Sequence, residues 1–265
     1  MKRASLLFIT FAVISLTSCK VTIDQEQTDT PQTDYFQLNI FNYETDEQEA
    51  SLDNHFQNAL LPALHKAGIK NVGVFKPIEG LAEQKDLTMV LIPFQSMEKF
   101  EQLDELLNKD AEYQQTGQAY MDAPHDSPPY TRIESMILRS FSATPQMALP
   151  DLSSPRSERI YELRSYEAAT EKLYKLKVEM FNEGESAIFQ ELKFNPVFFC
   201  EVLSSAHMPH LMYMTTHADT TAMKENWDAF RVHPEWERMK NLERYQNTVS
   251  SITKYLLYPT DYSDY

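Results

Sequence analysis

A chain of 265 residues with 42% apolar and 12% aromatic side chains carries enough apolar material for a sizeable globular core. Its formal net charge of −15, from 39 acidic against 24 basic residues, repels phosphate backbones and argues against nucleic acid as a partner. No block of like charge is long enough to act as a binding tail, so the acidity reads as a soluble surface.

The N-terminus is more specific. Met1-Lys2-Arg3 is a short basic start, and Leu6 to Leu16 is an apolar run of secretory-signal length, too short to span a bilayer comfortably. It ends in Leu16-Thr17-Ser18-Cys19, which resembles a bacterial lipobox, the motif in which the cysteine is lipidated and becomes the new N-terminus. Residues 1–18 are therefore expected to be a signal peptide. Residues 19–34, rich in Gln, Thr and Asp, are expected to form a flexible tether held by a lipid on Cys19. This places the protein in the cell envelope, on the periplasmic or surface side of a bacterial membrane. The other cysteine, Cys200, then has no partner for an intramolecular disulfide and reads as a small buried strand residue.

Tyr35 to Tyr43 alternates as a strand. Leu52, Phe56, Leu60, Ala63 and Ala67 recur at helical spacing, with Gly68 as a C-cap and Pro62 as an expected kink. Val72 to Lys76 and Leu87 to Phe94 read as strands, Met97 to Leu107 as a helix capped by Ser96, and Arg132 to Phe141 as a closing strand. Residues 142–157, with Pro145, Pro150 and Pro155, form a joint. Beyond it, the strands are Arg159 to Tyr166, Pro196 to Leu203, Leu211 to His217 and Val249 to Tyr258. Helices run from Glu171 to Glu183 and from Thr221 to Arg231, with a further turn after Pro234. The aromatic tail, Tyr258 to Tyr265, either packs or frays.

The two runs are one unit written twice. Phe36-Gln37-Leu38-Asn39-Ile40-Phe41 aligns with Tyr161-Glu162-Leu163-Arg164-Ser165-Tyr166 at an offset of 125, and Ala111-Glu112-Tyr113 with Pro234-Glu235-Trp236 at an offset of 123. Each half, residues 35–141 and 158–258, is a ferredoxin-like βαββαβ unit in an α+β class. Such a unit has a four-stranded antiparallel sheet with both helices on one face, and residues 259–265 form a C-terminal tail. Two such sheets can bury their open faces against each other, closing an eight-stranded barrel within one chain. A second copy is therefore allowed but not required.

Strand alternation divides the first strand of each half into two sets. Phe36, Leu38 and Ile40, with Tyr161, Leu163 and Ser165, are expected to pack under the helices. Gln37, Asn39 and Phe41, with Glu162, Arg164 and Tyr166, are expected to point into the barrel. Glu162 and Arg164 are then either a self-satisfying ion pair or an anchor for an anionic or carbonyl group in a pocket.

Three blocks carry a resemblance. Tyr161-Glu162-Leu163-Arg164-Ser165-Tyr166, then Pro209-His210-Leu211-Met212-Tyr213-Met214, then Trp227-Asp228-Ala229-Phe230 with His233-Pro234-Glu235-Trp236, are similar to the NIPSNAP family. They fall in order across nearly all of the second half. The first half keeps the pattern without the markers: Asn39 stands for Arg164, and Leu106 and Tyr113 stand near Ala229 and Trp236. The resemblance implies the dimeric α/β barrel superfamily, with small monooxygenases, decarboxylases and haem-binding enzymes among its members. It implies no reaction, because fold membership is not chemistry.

The remaining signals are weaker. His207, His210 and His217 lie about a loop and a strand, broken by Pro209 and without a carboxylate pattern, so no metal site is expected. Trp227, Phe230 and Trp236 suit core packing, and Asp228 and Arg231 read as exposed helix charges. With only five glycines there is neither a P-loop nor a dinucleotide fingerprint, and no cofactor is expected. The leading expectation is a lipid-anchored envelope protein that binds a small molecule or an envelope protein. Glu162, Arg164, Tyr166, His210 and Tyr213 are the ligand-binding candidates, and no catalytic residue is assigned. The alternative is a small-molecule enzyme, a cofactor-independent monooxygenase or lyase, with Arg164 orienting an anion and Glu162, Tyr166 or His210 moving protons. Haem or metal binding stands behind both.

Overall fold

The computed structural model describes residues 32–265, so the signal segment, Cys19 and most of the tether lie outside the described residues. The first half runs β1 (Tyr35–Asn42), α1 (Asp46–His55), a π-turn (Phe56–Leu60), α2 (Leu61–Lys66), β2 (Gly73–Pro77) and β3 (Leu87–Phe94). It continues with α3 (Met97–Lys109), α4 (Ala111–Thr116), α5 (Gln118–Met121) and β4 (Arg132–Ser140). The second half runs β5 (Ile160–Glu167), α6 (Glu171–Met180), a π-turn (Phe181–Glu185), α7 (Ser186–Glu191), β6 (Phe198–Ser204) and β7 (His210–His217). It ends with α8 (Thr220–Arg231), α9 (Pro234–Lys240) and β8 (Ser251–Pro259). The helix starts are capped in matching fashion. Thr45 and Ser96 accept from Gln48 N and Lys99 N in the first half, and Thr170 and Asp219 from Leu173 N and Ala222 N in the second.

All eight strands are antiparallel to their neighbours and close in the order β1-β3-β2-β8-β5-β7-β6-β4. Each half contributes its four strands as one block. The blocks are joined at two seams, β2 on β8 and β4 on β6, with a register shift at Ile137/Leu138 in the second. The seams satisfy the edge strands that each half alone would leave open.

The barrel interior is packed with side chains from both halves. Phe36, Leu38, Ile40, Met89, Leu91, Leu138, Tyr161, Leu163, Cys200, Met212, Met214 and Leu257 form one buried cluster. The expected inside and outside are therefore exchanged: the apolar set of β1 and β5 fills the barrel, and Glu162, Arg164 and Tyr166, like Gln37, Asn39 and Phe41, face the helix layer. The reason is geometric. Eight strands enclose only enough room for side chains to fill it, so the drier set goes in, while the helix layer offers hydrogen-bonding partners and a wet rim to the polar set.

Pro62 does not break its helix. Leu61 N–H reaches back five residues to Phe56 O, and Pro62 opens the next α-turn, where a missing N–H is tolerated. The second half makes the same π-turn with Ala187 in the place of the proline, so the proline uses the turn rather than causing it.

The tail packs rather than frays. Tyr265 inserts beside the rings of Phe75 and Tyr161, closing one end of the barrel. Asp264 accepts from Val72 N at 2.7 Å and lies 2.9 Å from His65, while Arg156 donates to the carbonyls of Thr260 and Ser263.

The packing of the apolar set against the polar set has a direct test in urea unfolding. Leu38→Ala and Leu163→Ala should each remove about 2–5 kcal/mol of stability. Gln37→Ala should change it by less than about 1 kcal/mol. Comparable losses at all three positions would contradict the packing described.

Candidate functional site

On β5, Glu162 and Arg164 point at α8 from adjacent positions of one strand face. Arg164 donates from Nε and Nη2 to Glu162 Oε1 at 2.9 and 2.7 Å, and its guanidinium lies 3.8 Å over the Trp227 ring. The same indole donates from Nε1 to Glu162 Oε2 at 2.7 Å, and His217 Nε2 stands 3.5 Å from that oxygen. Arg164 Nη1 reaches Tyr166 Oη at 3.4 Å, and Tyr166 Oη lies 2.7 Å from Tyr213 Oη. Burial works to raise the Glu162 carboxyl, but His217, Arg164 and Trp227 together outweigh it and hold the group at about 2. Burial also pushes the Tyr213 phenol well up, so Tyr213 stays protonated.

Four of the five expected ligand residues, Glu162, Arg164, Tyr166 and Tyr213, thus form one network. His210 does not join them. It faces the barrel side of β7, 2.7 Å from Ser165 Oγ through Nδ1 and 2.6 Å from Ser205 Oγ through Nε2. Burial and the nearby His207 depress it to about 4, leaving a neutral imidazole that ties the β6–β7 turn to β5. Trp227, expected to pack in the core ahead of stacking on a ligand, belongs to the network as both a hydrogen-bond donor and a cation–π platform.

A second charged pair lies deeper in the same helix layer. Lys177 on α6 and Glu185 in the π-turn meet at 2.6 Å, with side chains 6% and 3% exposed. The Lys177 ammonium sits 4.8 Å from the Phe181 ring centroid, 5.5 Å from Trp236 and 5.6 Å from Tyr166, with Met180 Sδ at 3.6 Å. Tyr166 therefore links the two pairs, its hydroxyl at Arg164 and its ring at Lys177. Burial raises the Glu185 carboxyl against the pull of Lys177. In a regular α-helix, positions eight apart differ by about 80° around the axis. The extra residue of a π-turn brings them within about 20°, which is how Glu185 comes to face Lys177.

Lys177 also lines a surface groove of about 440 Å³ with Met180, Trp236, Lys240, Tyr245 and residues 246–249. Larger depressions, about 490 and 540 Å³, lie beside α2 and α3 in the first half, but no buried ion pair reaches them. Among the described residues, no cluster of three or more His, Cys, Asp or Glu is placed to hold a metal ion.

The repeat supplies an internal comparison. At the offset of 125, Lys177 falls on Leu52, Glu185 on Leu60, Tyr166 on Phe41 and Phe181 on Phe56, all four buried in the first half's own helix-layer core. Sequence reasoning misses Lys177 and Glu185, since each alone looks like an ordinary helix charge, and only this comparison of aligned positions marks them out.

Residues 161–264 match the NIPSNAP family model. No curated protein matches the chain. Among solved structures, a candidate monooxygenase from Lactobacillus acidophilus is similar at 9% identity and TM-score 0.55, covering 86% of this chain and 94% of that one. A candidate monooxygenase from Fusobacterium nucleatum is similar at 9% identity and TM-score 0.53, covering 86% and 93%. An anthrone oxidase-like protein is similar at 13% identity and TM-score 0.50, covering 87% and 92%. At these identities the likeness is one of fold.

The Glu162 network makes a prediction about acid stability. A carboxyl held at about 2 against an ordinary 4.5 contributes stability above pH ~4.5 and loses it as the pH falls toward 2. Glu162→Gln should therefore flatten the acid limb of a stability–pH profile in that window. Arg164→Ala, which removes two charge-assisted hydrogen bonds and leaves the buried carboxylate to Trp227 and His217, should cost about 1–3 kcal/mol at neutral pH. An unchanged acid limb in Glu162→Gln would contradict the pairing.

Proposed function

Residues 161–264, most of the second half with its tail, form a NIPSNAP domain, and from that premise we propose that the chain is a small-ligand-binding protein of the cell envelope, tethered through Cys19. Its site is the helix layer of the second half, where the groove meets Lys177. One observation carries this reading. The same fold, at the same π-turn, is built in the first half with Leu52 and Leu60 where the second half buries Lys177 and Glu185. Replacing a buried ion pair by apolar residues is often neutral or stabilising, so the pair is poorly explained by stability, whereas a charged floor beneath a groove suits recognition.

A second reading has a narrower basis. Glu185 is a buried carboxyl raised in a protein whose fold neighbours include candidate monooxygenases, and raised carboxyls serve as acids and bases. Turnover of the bound molecule would then depend on Glu185.

Two experiments test the proposal. Native mass spectrometry of the protein taken from its own envelope should show a retained small molecule. The double variant Lys177→Leu/Glu185→Leu should lose that molecule while remaining within about 1 kcal/mol of the parent or above it. Glu185→Leu alone, which strands the ammonium, should lose about 3–5 kcal/mol. A double variant that keeps the molecule would remove the site.

The tether is tested separately. Labelled palmitate should enter the parent protein and not Cys19→Ser, which should also leave the membrane fraction. Label in both, or in neither, would count against lipidation at Cys19.

A further inference from the structure

We propose that the groove above Lys177 takes an aromatic carboxylate, its negative group received by the Lys177 ammonium and its ring laid against Trp236. This rests on the reading of the second-half helix layer as a ligand site and gives that ligand a chemical class.

Three observations carry it. The Lys177 side chain is 6% exposed, and its ammonium has one carboxylate partner, Glu185, and one thioether neighbour, Met180. An ammonium has three donors, so the third meets only the faces of Phe181, Trp236 and Tyr166 and has no oxygen acceptor, on a residue that lines the groove. The walls that Trp236 and Tyr245 add are aromatic, and Lys240 stands on the same groove as a second cation. A flat ring with a negative substituent uses all of these together. A neutral ring would leave the donor unspent, and a cation would meet Lys177 and Lys240.

Binding at Lys177 also draws the ammonium away from Glu185. The other charged groups around the site are already engaged: Lys240 with Glu237, Arg238 with Glu235, Arg244 with Glu179, and Glu183 with the Tyr245 hydroxyl. From β5, Tyr166 presents only its ring to Lys177. Glu185 therefore has no substitute cation, and as its share of Lys177 falls it takes up a proton from solvent. The balance is simple. One carboxylate enters, one carboxylate is neutralised, and the charge of the layer is unchanged. Burial already raises the Glu185 carboxyl, in the direction this step requires.

The test uses two probes of nearly equal shape, 1-naphthoate and the neutral 1-naphthylmethanol, titrated calorimetrically into the full chain at pH 7 in phosphate and in Tris. Naphthoate should bind at least about tenfold more tightly than the alcohol. The difference in heat between buffers should report uptake of up to about one proton per naphthoate bound. Lys177→Leu/Glu185→Leu should lose the preference for naphthoate, and Glu185→Gln should bind naphthoate with no buffer dependence. Equal binding of the two probes, or a preference that survives in the double variant, would overturn the inference. If native mass spectrometry then still shows a retained neutral molecule, the ligand site stands and only its chemical class falls. If no molecule is retained and neither probe binds, both fall together.

Discussion

An eight-stranded barrel has an interior wide enough for side chains and little else, and that constraint orders the rest of this molecule. Each half exposes one sheet face that it cannot bury alone, and the β2–β8 and β4–β6 seams bring those faces together. Once closed, the interior is a core of Phe, Leu, Met and Tyr side chains with contributions from both halves. The charged residues of β5 that pair, Glu162 and Arg164, are then turned outward into the layer beneath the helices, while Ser165 and His210 stay on the barrel side and satisfy each other. Chemistry in this fold is thereby moved from the barrel to the sheet–helix layer, and the two halves are free to differ there while the barrel between them stays the same.

They do differ. In the first half the corresponding places form an apolar core, with Phe41, Leu52, Phe56, Leu60 and Val90 together, and the buried charge lies elsewhere, where Lys76 meets Glu49 and Asp53. In the second, Tyr166, Lys177, Glu185 and Tyr213 occupy corresponding places, and Glu162, Arg164, His217 and Trp227 extend the polar chain. The π-turn is common to both, at Phe56–Leu60 and at Phe181–Glu185. Its role is to rotate a residue eight positions on back to the stripe that faces the sheet. With leucines the turn completes a core, and with Lys177 and Glu185 it makes a buried pair. The backbone device and the chemistry are therefore separable, and only the second is specific to the half that matches the NIPSNAP model.

Much of the architecture was legible because it rests on local pattern. β3 begins and ends where the apolar run Leu87–Phe94 does, and Ser96 caps the helix that follows, because alternation and capping are encoded within a few residues. The repeat gave the pairing of halves, since two sheets with one open face each have few ways to cover them. The direction of the strand faces was not legible. Alternation separates Phe36, Leu38 and Ile40 from Gln37, Asn39 and Phe41, but only the closed barrel decides which set is inside. Glu162 and Arg164 are therefore legible as a pair from their spacing, while the side they face follows only from the closed barrel. Lys177 and Glu185 were hidden by the π-turn, because a regular 3.6-residue period puts them on different stripes.

The single-chain form of the barrel bears on why such a pair can persist. A barrel of two identical copies would carry a buried ion pair in both, with the desolvation of four charges opposing a single fold. Fusing the halves removes that symmetry. The first half can then be packed for stability, with leucines at the positions of the pair, while the second keeps an ammonium and a carboxylate in a nearly dry layer. The two halves are held in one cooperative unit by the seams and by the tail, whose Tyr265 packs on Phe75 from β2 and Tyr161 from β5.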